Sequence, residues 1–112
     1  MEELLDVYER FNFLMGDIYK ECLENGYTKS GAIGKIKYEL LPMAKTDDEK
    51  AILYFELAYF LSKEELSEEF SNVYEEYKVL VKNTKVMKWN INPEQLRAKQ
   101  DKITKYAKKL NL

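Results

Sequence analysis

The chain has 112 residues, 46% hydrophobic and 34% charged, with two Pro, four Gly, one Cys and no His. That length suits a single domain, residues 1–112, able to bury roughly 65% of its unfolded surface, and so few turn formers exclude an all-β architecture. Without His the chain lacks the usual base of nucleophilic triads, ordinary zinc sites and the Glu-x-x-His sites of di-iron bundles.

The net charge of −2 hides a division: residues 1–81 carry −9 and residues 82–112 carry +7. Such segregation reflects either an internal pairing of surfaces or two faces for different partners. The acidic start, MEELLDVYER, is unlike a basic secretory leader. Cys22 has no second Cys to pair with. Both features point to a reducing cytoplasm.

A first helix is predicted from about Glu2 to Glu24. Leu4, Tyr8, Phe11, Met15, Ile18 and Cys22 recur in steps of four and three, one face of a helix. Leu5, Leu14 and Tyr19 widen the stripe, and Cys22 reads as a small buried thiol. Gly26 suits the left-handed residue that ends a helix. Phe13 projects opposite the stripe among Asp6, Glu9, Asp17 and Lys20. It is either a second packing surface or an aromatic anchor on an acidic face.

A second helix starts near Ser30, includes Ile33, Ile36, Leu40 and Leu41, and ends or kinks at Pro42. Gly31 and Gly34-Lys35 lack the spacing of a phosphate loop. They read as small residues at a close helix contact. Thr46-Asp-Asp-Glu49 is a capping box, and the extra acids suit the positive end of the helix dipole.

The helix it starts contains Ala51–Leu61, AILYFELAYFL, in which ten of eleven residues are apolar or aromatic. A helix apolar on nearly every side belongs in the middle of a bundle, and this run is too short to span a bilayer. Its one polar line, Glu49, Glu56 and Lys63, reads as a narrow solvated seam. The competing reading of Glu56 is a catalytic acid with a raised pKa.

Ser62-Lys-Glu-Glu65 repeats the capping pattern and predicts a fourth helix over about Lys63 to Val81, burying Leu66, Phe70, Val73, Tyr77 and Leu80. Its opposite face carries Glu64, Glu68, Ser71 and Glu75, with Glu65, Glu69, Asn72 and Glu76 on one flank. Beyond Asn83, Met87, Trp89 and Ile91 alternate with polar residues, which predicts a short extended segment near residues 85–92. Asn92-Pro93-Glu94-Gln95 then starts a last helix. Leu96, Ile103, Tyr106 or Ala107, and Leu110 point inward, while Arg97, Lys99, Lys102, Lys105, Lys108 and Lys109 coat the rest. The predicted architecture is all-α, a compact antiparallel bundle of about five helices with one extended connection.

These features favour binding over catalysis, with no cofactor, no metal and no membrane span. The candidate surface is Glu64, Glu65, Glu68, Glu75 and Glu76 with Tyr74 on the fourth helix, and Phe13 with Asp17 on the first; Tyr59 is a further aromatic. Acids of this density select a basic protein partner and speed its approach, while interleaved aromatics supply affinity. The alternative is a small nucleic-acid-binding or phage-encoded regulatory protein whose basic last helix, with Trp89, contacts nucleic acid through phosphates. It is disfavoured because the bases ring the helix and the domain overall is acidic. A third possibility is that the basic helix folds over the acidic body and neutralises it.

In size, helical content, tyrosine content and acidic faces, the chain resembles the small acidic helical immunity proteins that bacteria pair with secreted toxins. The resemblance implies a stoichiometric inhibitor. Its acidic face would occupy the basic substrate site of a toxin domain such as a nuclease, or a place beside it.

Overall fold

A helix that is apolar all round must be surrounded, and the computed structural model, which describes residues 4–83 and 92–112, places it so. Five helices form an all-α bundle: α1 (Leu4–Glu24), α2 (Lys29–Leu40), α3 (Asp47–Lys63), α4 (Ser67–Asn83) and α5 (Pro93–Lys109). The main packing partners of α3 are α4, α1 and α5, while α2 packs on α1. Every residue of α3 from Ala51 to Ala58 is buried. Among the described residues no helix is long and apolar enough to cross a membrane. Residues 84–91, including Met87, Trp89 and Ile91 of the expected extended segment, lie outside the described residues.

The local signals act as their chemistry dictates. Thr46 Oγ1 accepts from the Glu49 amide at 3.1 Å, and Glu49 Oε1 accepts from the Lys45 amide at 2.8 Å, one residue earlier than a reciprocal box would place it. Asn92 Oδ1 caps α5 by accepting from the amides of Glu94 and Gln95 at 2.9 and 3.4 Å. Thr28 caps α2, accepting from the Gly31 amide at 3.0 Å. Pro42 ends the α-helical part of this segment in a 3-10 turn, Leu41–Met43. The stripe of α1 is buried at Tyr8, Phe11, Met15, Tyr19 and Cys22, joined by Val7.

Three helices end in one way. Gly26, Glu65 and Asn111 adopt φ of 87°, 54° and 62°. In each case the next amide reaches back five residues: Tyr27 to Cys22 O at 2.9 Å, Leu66 to Leu61 O at 3.1 Å, and Leu112 to Ala107 O at 2.9 Å. This is the six-to-one bond that satisfies the orphan carbonyls of a helix end.

Two expectations fail here for physical reasons. Ser62-Lys-Glu-Glu65 does not start α4: Ser62 is buried and its Oγ donates to Tyr59 O at 2.7 Å. Bonded backwards in this way, Ser62 extends α3 to Lys63, leaving Glu64 as its C-cap and Glu65 in the turn. The glycines of α2 do not mediate a close helix contact either. A Cβ at Gly34 would meet nothing within 4 Å, and at Gly31 it would meet only Thr28 and Tyr27, its own cap and the residue before it.

Gly34→Ala is therefore expected to stabilise the fold by about 1 kcal/mol, the helix-propensity difference at an open position. Gly31→Ala should gain less, because its Cβ would lie 3.2 Å from the capping Thr28 Oγ1. Denaturant midpoints of the two variants check this, and a loss of stability in Gly34→Ala would contradict the open environment.

Candidate functional site

Four of the candidate residues lie on α4. Glu68 and Glu75 are seven residues apart on one exposed face, and Glu76 is exposed beside them. Among the described residues, neither Glu68 nor Glu76 has an ion-pair partner, and Glu75 has only an exposed contact to Lys78 at 3.6 Å. Tyr74 is half-buried, stacked between Phe70 and Tyr77 at centroid distances of 5.3 and 5.8 Å, with Lys78 above it. Tyr74 thus supports the face from beneath.

Beside these acids runs a groove of about 620 Å³ lined by Leu41, Lys50, Tyr54, Glu75, Glu76, Val79 and Leu80. Val79 is 60% exposed at its edge. The Tyr54 phenol is buried near the Glu76 carboxylate; burial first, then that neighbouring acid, push its pKa above the ordinary tyrosine value. An apolar floor with two acids, Glu75 and Glu76, and one base, Lys50, around it is the geometry of an anchoring pocket, with charge supplying orientation and the pocket affinity.

The other candidates are not brought to this face. Glu64 and Glu65 sit in the α3–α4 turn, and Glu65 faces α5, where Lys109 approaches at 3.5 Å. Phe13 is 72% exposed on α1, with Asp17 one turn along. Its exposure removes the packing alternative, but α1 makes its main contacts with α2 and α3 and forms a separate surface. Tyr59 is half-buried among cations, 4.9 Å from both Lys63 and Lys99.

The largest departure from expectation is Glu56. It is no solvated seam: the residue is 3% exposed, and Lys99, expected on the surface of α5, is 7% exposed. Lys99 Nζ donates to Glu56 Oε1 at 2.8 Å and also to the Tyr8 hydroxyl. Tyr8 lies close enough to the Glu56 carboxylate to favour its charged form. Burial raises the Glu56 pKa above its ordinary value, while Lys99, Tyr8 and the charge of Lys63 pull it back. Burial and the neighbouring Glu56 push the Tyr8 phenol up, which disqualifies it as a base near neutral pH.

Glu56 and Lys99, but not Tyr8, border a cleft of about 310 Å³ that also includes Asn12, Tyr59, Phe60, Lys63 and Gln95. One side of Glu56 therefore faces a polar cleft shared with two lysines. Its carboxylate is nevertheless engaged by groups from α1 and α5, so it acts foremost as a cross-link between three helices.

Neutralisation of the acidic body by the basic helix is slight. Among the described residues, α5 contributes the buried Lys99–Glu56 pair and the exposed Lys109–Glu65 pair, and the outer acids of α4 receive neither. No protein-family model, curated protein or solved structure matches the chain. The class defined by the fold is thus that of an all-α five-helix domain, with an acid-rimmed groove and a separate basic helix.

Glu56→Leu or Lys99→Met alone is expected to cost about 3–5 kcal/mol, since each strands the other's buried charge; the double variant should cost far less than the sum. Chemical denaturation of the cycle measures this coupling. The folded chain holds the Glu56 proton more tightly than the unfolded chain does. Stability should therefore fall as pH rises from 4.5 through the range where folded Glu56 ionises. Glu56→Gln should flatten that part of the pH–stability curve. At the alkaline end, burial of Tyr77 pushes its phenol up to about 12, and Tyr8 and Tyr54 shift the same way. Their contribution is complete below pH 10, the ordinary tyrosine value, and is lost as pH rises toward 12. Tyrosinate absorbance should accordingly appear together with loss of helical circular dichroism.

Proposed function

We propose that this protein is a non-enzymatic inhibitor that binds a basic protein through the outer face of α4 and the adjoining groove. The observation that carries the reading is an apolar groove edged by Val79 and lined by Glu75 and Glu76, with Glu68 farther along the same exposed face; among the described residues these three acids lack strong counter-ions. Isolated acids on a helix are only a solvated face. Acids rimming an apolar recess instead suit a basic segment that seats one apolar side chain and surrounds it with lysines or arginines.

The particular form we favour is an immunity protein, acting in the cytoplasm, that covers the basic substrate site of a cognate bacterial toxin domain, for instance a nuclease. The partner's own substrate would then be displaced by carboxylates that mimic its charge. Glu56 has no catalytic part in this reading.

The experiment starts from the neighbouring reading frame, which this reading expects to encode a secreted protein with a toxic domain. Wild-type protein should restore growth to cells producing that domain and bind it with one-to-one stoichiometry. Glu68→Lys/Glu75→Lys/Glu76→Lys should slow association by roughly tenfold or more, with the loss greatest at low salt. Val79→Asp should act mainly on dissociation. Circular dichroism melting confirms that the variants fold, and unchanged affinity in the triple variant would reject this face.

A further inference from the structure

The basic residues of α5 do not merely ring the helix. Lys102, Lys105 and Lys109 follow one another in steps of three and four, with Tyr106 buried among them in edge contact with Phe70 at 4.8 Å. Opposite them, the end of α3 supplies Ser62 and Lys63, and the left-handed turn supplies Glu65. These seven residues line a cleft of about 260 Å³. Four ammonium groups share it with one carboxylate, and that carboxylate belongs to the Lys109–Glu65 pair.

Glu69 is the other acid near the Tyr106 phenol, and it accepts a hydrogen bond from Ser30. Among the described residues, neither Lys102 nor Lys105 has an ion-pair partner. Lys63 lies 4.9 and 5.6 Å from the ring centres of Tyr59 and Phe60, and no carboxylate among those residues is within ion-pair distance. Like charges gathered in a concavity repel one another, and a multiply charged anion removes that repulsion. Lysines are point charges with rotatable donors, suited to several phosphate oxygens at once. The cleft is too small for a folded partner.

We propose that this cleft binds an anion carrying two or three linked phosphate groups, as an inorganic chain or as the tail of a nucleotide. Lys63, Lys102, Lys105 and Lys109 supply the charge, and Ser62 lies in the same wall. The site is independent of the acidic face, because none of these lysines belongs to it. Lys63 also lines the cleft containing Tyr59 and Phe60, so a nucleotide held by its phosphates has aromatic rings within that neighbouring recess.

Calorimetric titration of the purified full chain with tripolyphosphate, ATP and sulfate, at low and physiological salt, tests the proposal. Tripolyphosphate should bind one-to-one and weaken with salt, and sulfate should bind far less well. Lys102→Gln and Lys105→Gln should each weaken binding by roughly tenfold, the scale of one charge-assisted hydrogen bond, while Lys45→Gln, outside the cleft, leaves it unchanged. Both lysines are exposed, so the variants should fold, and their melting temperatures verify it. Tighter binding of ATP identifies the nucleotide as the source and equal binding identifies the inorganic chain; either supports the site. No binding at low salt, sulfate binding as tightly as tripolyphosphate, or full binding by the Lys102→Gln/Lys105→Gln double variant overturns it.

Discussion

A carboxylate in the middle of the most buried helix has to be answered by a cation, and the need to answer Glu56 reaches into three helices. Leaving such a charge unpaired costs several kcal/mol, so α5 must lie on α3 in the register that delivers Lys99, and α1 must present Tyr8. Apolar packing alone tolerates sliding and repacking. The bond from Lys99 to Glu56 and Tyr8 does not, because it is directional and its partners are buried. The surrounding core, from Phe11 and Phe55 to Ile103, supplies the bulk of the burial. We infer that the triad selects one arrangement of that core over its neighbours.

This internal pair also explains why the two charged halves of the chain stay distinct. Docking α5 on α3 uses apolar contacts and Lys99, and neither process consumes the acids of α4. Among the described residues only Lys109 crosses the surface to an acid, Glu65. The remaining lysines of α5 and the outer glutamates of α4 are left facing solvent as separate fields. Opposite fields on one small domain favour two kinds of contact, with a basic partner at one and a polyanion at the other.

The two recesses differ in kind. The groove beside Glu75 and Glu76 has an apolar floor and an exposed edge at Val79, features of a surface for another protein. The recess between the α3–α4 turn and α5 is small and dominated by ammonium groups. Glu65 stands in the turn between α3 and α4, left-handed and paired with Lys109 of α5. Its place in the turn follows from Ser62 bonding back into α3.

Much of the fold was legible in the residues. The period of α1, the cap at Thr46, the stop at Gly26 and the start at Asn92 are local effects, settled within a turn of helix. So is the central position of α3, since a helix without a polar face has only one place to go. Lys99 was legible too: Leu96, Lys99, Ile103, Tyr106 and Leu110 keep the three-four step, and the charge disguised an inward position.

What local pattern left undecided was which side chains meet across helices. That Lys99 finds Glu56 forty-three residues away, that Lys63 joins the lysines of α5, and that Val79 borders a groove with Leu41 all depend on how the helices are laid against one another. Periodicity assigns each residue a face of its own helix. Only packing decides what that face meets, because burial and pairing belong to several segments at once.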